Sequence, residues 1–312
     1  MARDERRVTG EAVQAEVRAD MDTWAARYPL FDPARFPALA VTTVAYLPTV
    51  RREDRALAAL VSLWIIAFDA LVDEDGTDTA AVTTLATRYG ALVDADHVER
   101  HVTPLRMGGA TEQLDAALRE IAALLTGYSA PSVLRVWWAT SCRATIAAIV
   151  RQRELGRTEG PMPDYAAALP LLTDSIGVRP YLAIGAIVGR EPGLAARLSA
   201  TTALAGECAL AIRLANDLRT WEKDELESGF NTLVALRAEL AHTEPALSAT
   251  VARERALAML RARLAISRSR CHARFSMAAG AGATEAAMVR LMDVAVGIYA
   301  DRDYHTYRAD GD

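Results

Sequence analysis

Apolar residues recur at spacings of three and four along almost the whole chain, and few stretches alternate β-branched with polar residues. Helices satisfy that pattern and strands do not. The richness in alanine, the best helix former, points the same way. The pattern predicts helices near 10–27, 51–74, 79–93, 112–127, 131–156, 164–188, 193–225, 229–241, 245–275 and 283–303, and an all-α fold class. No Pro/Gly/Ser-rich linker and no internal repeat divides the 312 residues, so one domain spanning 1–312 is expected. Apolar residues make up 52% of the chain, enough for a sizeable core, which excludes a disordered chain.

Several classes of function fall away at this level. The net charge is −5 with no basic block, so nucleic acid is not an expected partner. The three cysteines, Cys142, Cys208 and Cys271, are far apart, odd in number and set in apolar runs, as buried thiols of a reducing cytoplasm are. The first residues lack the apolar core of a signal peptide. The strongest apolar stretch, Ala56–Phe68, is interrupted only by Ser62 and is too short to span a bilayer, so it reads as a core helix. A cytoplasmic protein without a stable membrane anchor is expected. The abundance of apolar helix surface is compatible with a homodimer.

Chemistry concentrates in two segments. From Ala203 to Ala215 the chain is apolar or small except for Glu207 and Arg213, and it then turns polar as Asn216-Asp-Leu-Arg-Thr-Trp-Glu-Lys-Asp224. Asn216, Thr220 and Asp224 stand at i, i+4 and i+8, so three oxygen-bearing side chains line one helix face. That spacing also describes any solvated face, but a buried helix that turns polar usually points those groups at a partner or a cavity. Lys223, the only lysine of the chain, adds a compact ammonium suited to a phosphate oxygen beside a hard cation.

The second segment ends the helix that begins near Arg51. Asp69 and Asp73 lie at i, i+4 directly after Trp64 and Phe68, and Glu74, Asp75 and Gly76 follow. Like charges at that spacing repel, and acidic groups at a helix C-terminus oppose the macrodipole. A resident cation would offset both costs; an exposed acidic helix end capped by Gly76 is the alternative. Two acidic helix ends above apolar helices can face each other across a cavity, with phosphate and Mg²⁺ at the top and a hydrocarbon below.

With these residues in place the chain resembles a class I terpene synthase, and more closely the bacterial diterpene synthases related to ent-kaurene synthase that act on bicyclic copalyl-type diphosphates. Asn216–Asp224 is similar to the family's second metal motif, N-D-x-x-S/T-x-x-x-E/D, and Gly229-Phe-Asn-Thr-Leu233 to the stretch that follows it. Asp69-Ala-Leu-Val-Asp73 stands where the family has D-D-x-x-D, with Ala70 in place of the second aspartate. Leu171–Arg179 lacks the arginine that many members carry before a helix break, so either Arg179 substitutes for it or it is absent, as in the kaurene-synthase-like relatives. Thr306-Tyr307, flanked by Arg302 and Arg308, stands where an Arg-Tyr pair is usual.

The resemblance implies a soluble α domain that uses three Mg²⁺ ions to ionise a prenyl diphosphate, most closely a C20 copalyl-type one, and then cyclises or rearranges the carbocation. It implies Asp69, Asp73, Asn216, Thr220 and Asp224 as metal ligands, and Lys223, Arg179, Tyr307 and Arg308 as diphosphate contacts. Gly177 would free a carbonyl toward the cation. Trp64, Phe68, Trp137 and Trp138 are either aromatic walls or ordinary core. Alternatives at this stage are a cyclase of linear farnesyl or geranylgeranyl diphosphate, a prenyl-joining enzyme like the squalene and phytoene synthases, and a catalytically silent helical binding protein.

Overall fold

The computed structural model describes residues 2–74, 78–94, 109–157, 162–227, 229–277 and 280–302. Within them lie twelve α-helices and two short 3₁₀ turns, and no strand, as the sequence predicts. In chain order the helices are α1 (Ala2–Ala25), α2 (Phe36–Tyr46), α3 (Arg52–Asp73), α4 (Thr79–Leu92), α5 (Gly109–Thr126), α6 (Ser132–Arg157), α7 (Tyr165–Ser175), α8 (Val178–Gly189), α9 (Leu198–Leu226), α10 (Thr232–Thr243), α11 (Ala249–Met277) and α12 (Ala283–Asp301). The 3₁₀ turns are Pro33–Arg35 and Leu194–Arg197.

Local chemistry starts these helices where it should. Asp78, Asp164 and Asn231 accept hydrogen bonds from the first-turn amides of α4, α7 and α10, at 3.1, 2.7 and 2.9 Å. Asp32 does the same for the 3₁₀ turn before α2.

Two elements depart from the periodicity reading. Helix α2 was not expected, because Phe36–Tyr46 is apolar around its whole circumference and carries β-branched Val41, Thr42, Thr43 and Val44. Such a helix is stable only when buried on most sides, and α2 is wrapped by α1, α3 and α12. Thr42 meets the helical condition by donating to the Ala38 and Leu39 carbonyls at 3.0 and 3.1 Å. The segment expected as one helix over 164–188 is two, broken at Ile176–Gly177. The cause is Gly177, whose φ of +73° lies in the left-handed region.

Helices α2, α3, α8, α9 and α12 surround the core, with α6 packed on α7 and α8 and α11 packed on α9. By length and composition three segments, Arg52–Asp73, Ser132–Arg157 and Leu194–Leu226, are apolar enough to cross a membrane, which corrects the expectation drawn from uninterrupted runs. In the fold 61% of each such window is buried inside the protein.

The break at Gly177 is packed as well as bent. A Cβ built there would stand 2.6 Å from Cγ2 of Ile65 on α3. We therefore expect Gly177→Ala to cost about 2 kcal/mol or more in chemical denaturation, from left-handed strain and overpacking together. Ile65→Ala, which removes Cγ2, should recover only the packing part when the double variant is compared with Ile65→Ala alone.

Candidate active site

A cavity of about 410 Å³ opens at the end of the bundle where α3 and α9 turn polar. One wall comes from α3, whose Ser62, Ile65, Ile66, Asp69, Ala70 and Asp73 recur at helical spacing along a single stripe. The facing wall comes from α9, with Ile212, Arg213, Asn216, Thr220, Lys223 and Asp224. The two polar segments thus meet across one cavity. The α7–α8 break supplies Ser175, Ile176, Gly177 and Val178 to the same lining.

On α9 the carboxylate of Asp224 is held ready. Its Oδ2 accepts from Thr220 Oγ1 at 2.9 Å and from Asn231 Nδ2 at 2.8 Å, while Asn231 also caps α10. Asp217, the second residue of the motif, faces the other way and is fully buried. It pairs with Arg213 at 2.9 Å and accepts the Thr232 amide at 2.9 Å, fixing the start of α10 against α9. Arg213 reaches on to Ser175 Oγ at 3.2 Å and Gln152 Oε1 at 3.4 Å. Gln152 in turn donates to the Phe230 carbonyl at 2.8 Å. One buried network therefore ties α6, the end of α7, α9 and α10 together.

The acids of the site are electrostatically unhappy without a cation. The Asp69 side chain is exposed where it opens onto the cavity, with protein packed densely around it on its other sides. Burial, with the Asp73 charge beside it, pushes Asp69 up to about 7, against the pull of Arg213 and Arg35. Asp73 and Asp224 are raised as well, both chiefly by burial. Among the described residues no three His, Cys, Asp or Glu form a cluster able to hold an ion by themselves. Two aspartates on one helix face an Asn/Thr/Asp set on another, an all-oxygen donor set. Hard cations that keep waters and take substrate oxygens favour such a set. The residues present fit a divalent metal bound together with a substrate.

Other expected residues lie elsewhere. Trp64 and Phe68 stack on each other at 5.5 Å and meet the Tyr89 edge, and Trp64 Nε1 donates to the Leu114 carbonyl. Both line the core toward α4 and α5 rather than the cavity, because their positions lie about 100–140° around α3 from Asp69. Trp138 is buried in the core, and Trp137 packs partly buried against it. Arg179 is outside the cavity lining and pairs with Asp174 across the helix break at 2.8 Å. Lys223 lines the rim, exposed, 3.9 Å from Glu227. Asp75, Gly76, Thr306, Tyr307 and Arg308 lie outside the described residues. Sequence reasoning missed Arg35, Gln152, Tyr181, Phe230 and Tyr299, all of which line the cavity. It noted Arg213 as one of two charges in an apolar run without assigning it a place. The signal was there, since Arg213 stands three residues before Asn216 and four before Asp217.

Residues 61–265 match the model of the family described as terpene synthase family 2, C-terminal metal binding. The chain belongs to this family and is a class I terpene synthase, a lyase that ionises prenyl diphosphates. The fold is shared with a point variant of cucumene synthase at 17% identity and a TM-score of 0.68, over 92% of this chain and 96% of that one. It is shared with linalool/nerolidol synthase from Streptomyces clavuligerus in complex with 2-fluorogeranyl diphosphate, at 17% identity and a TM-score of 0.66, over 92% and 93%. A protein from ancestral sequence reconstruction, SVS_A2, matches at 18% identity and 0.67, over 92% and 85%. No curated protein matches the sequence.

The raised Asp69 has a measurable consequence. Its folded pKa lies above its unfolded one, so the folded state holds the proton more tightly, and stability is lost as pH climbs from about 4 through about 7. In the metal-free protein Asp69→Asn should therefore melt a few degrees higher than the parent at pH 8. The two should converge near pH 4. Equal melting temperatures at pH 8 would show that the carboxylate carries no such penalty.

Proposed function

We propose that this chain, as one catalytic α domain over 1–312, carries out Mg²⁺-dependent ionisation of a prenyl diphosphate followed by carbocation cyclisation or rearrangement to a diterpene. The observation that carries this reading is the opposition of Asp69 and Asp73 to Asn216, Thr220 and Asp224 across a cavity whose deeper walls are apolar. Those five residues would hold the ions, three with bound diphosphate by the resemblance. Bound Mg²⁺ would neutralise the diphosphate and turn it into a leaving group.

The chain's own groups do the rest. Asn231 and Thr220 keep Asp224 aimed into the cavity. Arg213 and Arg35 add positive charge beside the carboxylates, and Lys223 does so at the rim. Tyr307 and Arg308 of the C-terminal segment are proposed to close over the diphosphate. Arg179 could reach it only after leaving Asp174, and we assign that place to Arg213 instead. Ile65, Ile66, Ile212, Val178 and Leu291 leave the cation few nucleophiles besides its own alkenes. Gly177 turns the backbone toward this space.

We read the substrate as a C20 copalyl-type bicyclic diphosphate, from the motif resemblance and the lack of an arginine before the break; Ala70 is a departure from that motif. A second reading, a linear prenyl diphosphate, is favoured by the similarity to an enzyme crystallised with 2-fluorogeranyl diphosphate. A prenyl-joining reaction fits less well, because the second motif offers Asn216 and Thr220 where such enzymes present aspartates. The site needs no membrane anchor, and the cytoplasm suits its free thiols.

Gas chromatography with mass spectrometry, on incubations with farnesyl, geranylgeranyl and copalyl-type diphosphates with and without chelator, tests the proposal. A chelator-sensitive diterpene from the bicyclic substrate alone is the expected result; products from a linear substrate alone would move the specificity to the second reading. Asn216→Ala should lower turnover at least about a hundredfold with the active substrate. Unchanged turnover would remove Asn216 from the metal site.

A further inference from the structure

Helix α11 needs one apolar face and carries two. Ala252, Ala256, Leu257, Leu260 and Cys271 are buried, on the side that packs against α9, α10 and α12. On the opposite side Val251, Met259 and Ile266 are 44–47% exposed and Met277 is 84% exposed. Eight large hydrophobic side chains are exposed among the described residues, and these are four of them. The exposure is therefore gathered on one helix and is not the scatter that any surface shows. At about 100° per residue the four share an arc of about 120° with the exposed Ala258, Ala262, Ala265 and Ala273. Arg255, paired with Glu244 at 2.6 Å, and the small Ser269 and Ser276 complete the arc. The stripe follows a helix of 29 residues, about 40 Å long.

Arginine brackets this stripe. Helix α11 carries seven arginines and one glutamate in a chain whose net charge is −5, so it is a basic strip on an acidic protein. Arg261 and Arg268 fall beyond one edge of the arc, and Arg270 and Arg274 beyond the other. Arg253, Arg255 and Arg268 are paired with Glu225, Glu244 and Asp293. Arg261, Arg270 and Arg274 are exposed and have no acidic partner among the described residues. A second copy of the chain is a poor occupant for this face. Two-fold pairing would set arginine edges against arginine edges, and Glu254 is the only acid the helix offers. A surface with hydrocarbon at one depth and anions just above it matches both the stripe and its borders, because arginine stems lie along apolar surface while their heads reach outward.

The geometry points to α11 as a reversible docking face for an anionic lipid surface. The helix lies flat on it, with Met259, Ile266 and Met277 in the acyl boundary and Arg261, Arg270 and Arg274 among the lipid phosphates. Such binding is peripheral and uses no spanning segment. No residue of α11 lines the cavity between α3 and α9, so the inference stands apart from the proposed reaction and from the residues assigned to it.

Flotation of the full chain with vesicles of phosphatidylcholine, with and without phosphatidylglycerol, at low and high salt, tests this. The parent is expected to float only with the anionic vesicles and to be released by salt. Replacing Arg261, Arg270 and Arg274 together by Gln should lower the partition coefficient about a hundredfold. Met259→Ser combined with Ile266→Ser should lower it about tenfold. Val136→Ser, at an exposed position on α6, should leave it unchanged. All these positions are exposed, and unaltered circular-dichroism melting will confirm that the variants fold. Failure of the parent to float, or equal flotation with both vesicle types, would overturn the inference. So would binding that the arginine variant loses and the Met259/Ile266 variant keeps, which is the behaviour of a general polyanion site. A dimer in sedimentation that Ile266→Ser dissociates, without vesicle binding by the parent, would give the face to a second copy instead.

Discussion

The buried ion pair of Arg213 and Asp217 is the joint on which the site is assembled. Asp217 is fully buried and Arg213 nearly so, and removing one partner of such a pair usually costs about 3–5 kcal/mol because the other charge is left stranded. Here the stranding would spread. Asp217 also receives the Thr232 amide at the start of α10, and Arg213 also reaches Ser175 at the end of α7 and Gln152 on α6. The helix that carries Asn216, Thr220 and Asp224 is thereby fixed to the helix break and to the helix whose cap, Asn231, holds Asp224.

That rigidity explains how the protein tolerates three carboxylates around one cavity. Asp69, Asp73 and Asp224 are all raised, chiefly by burial. Arg213 and Arg35 pull back on Asp69 but do not cancel its shift. The folded chain carries an unmet demand for positive charge at the place where the apolar walls begin. A site that stores such a demand is less stable without its ligands than it could be, as is common where function and stability compete.

Much of this was legible in the sequence. Most of the helices follow from three-four periodicity, and the two polar segments, each ending an apolar helix, were expected to be able to face each other across one cavity, a reading the family resemblance completed. What the sequence hid has physical causes. Helix α2 has no polar face to give it a period, so only burial on most sides reveals it. Trp64 and Phe68 neighbour Asp69 in sequence but not on the helix surface, and their rings serve the core beside Tyr89. Arg35 comes to the cavity from a 3₁₀ turn distant in sequence from either motif, a meeting that depends on how α2 packs. Arg179 stands where a substitute for the missing arginine was sought, but Asp174, on the near side of the break, claims it.

The central claim is that α3 and α9 share one set of cations. Crystals grown with Mn²⁺ in place of Mg²⁺ and with inorganic diphosphate would show the ions directly by anomalous scattering. The account requires manganese peaks in contact with Asp69 on one side and with Asn216, Thr220 and Asp224 on the other, all bridged by the same diphosphate. Peaks confined to one of the two helices, or diphosphate bound away from both, would contradict it.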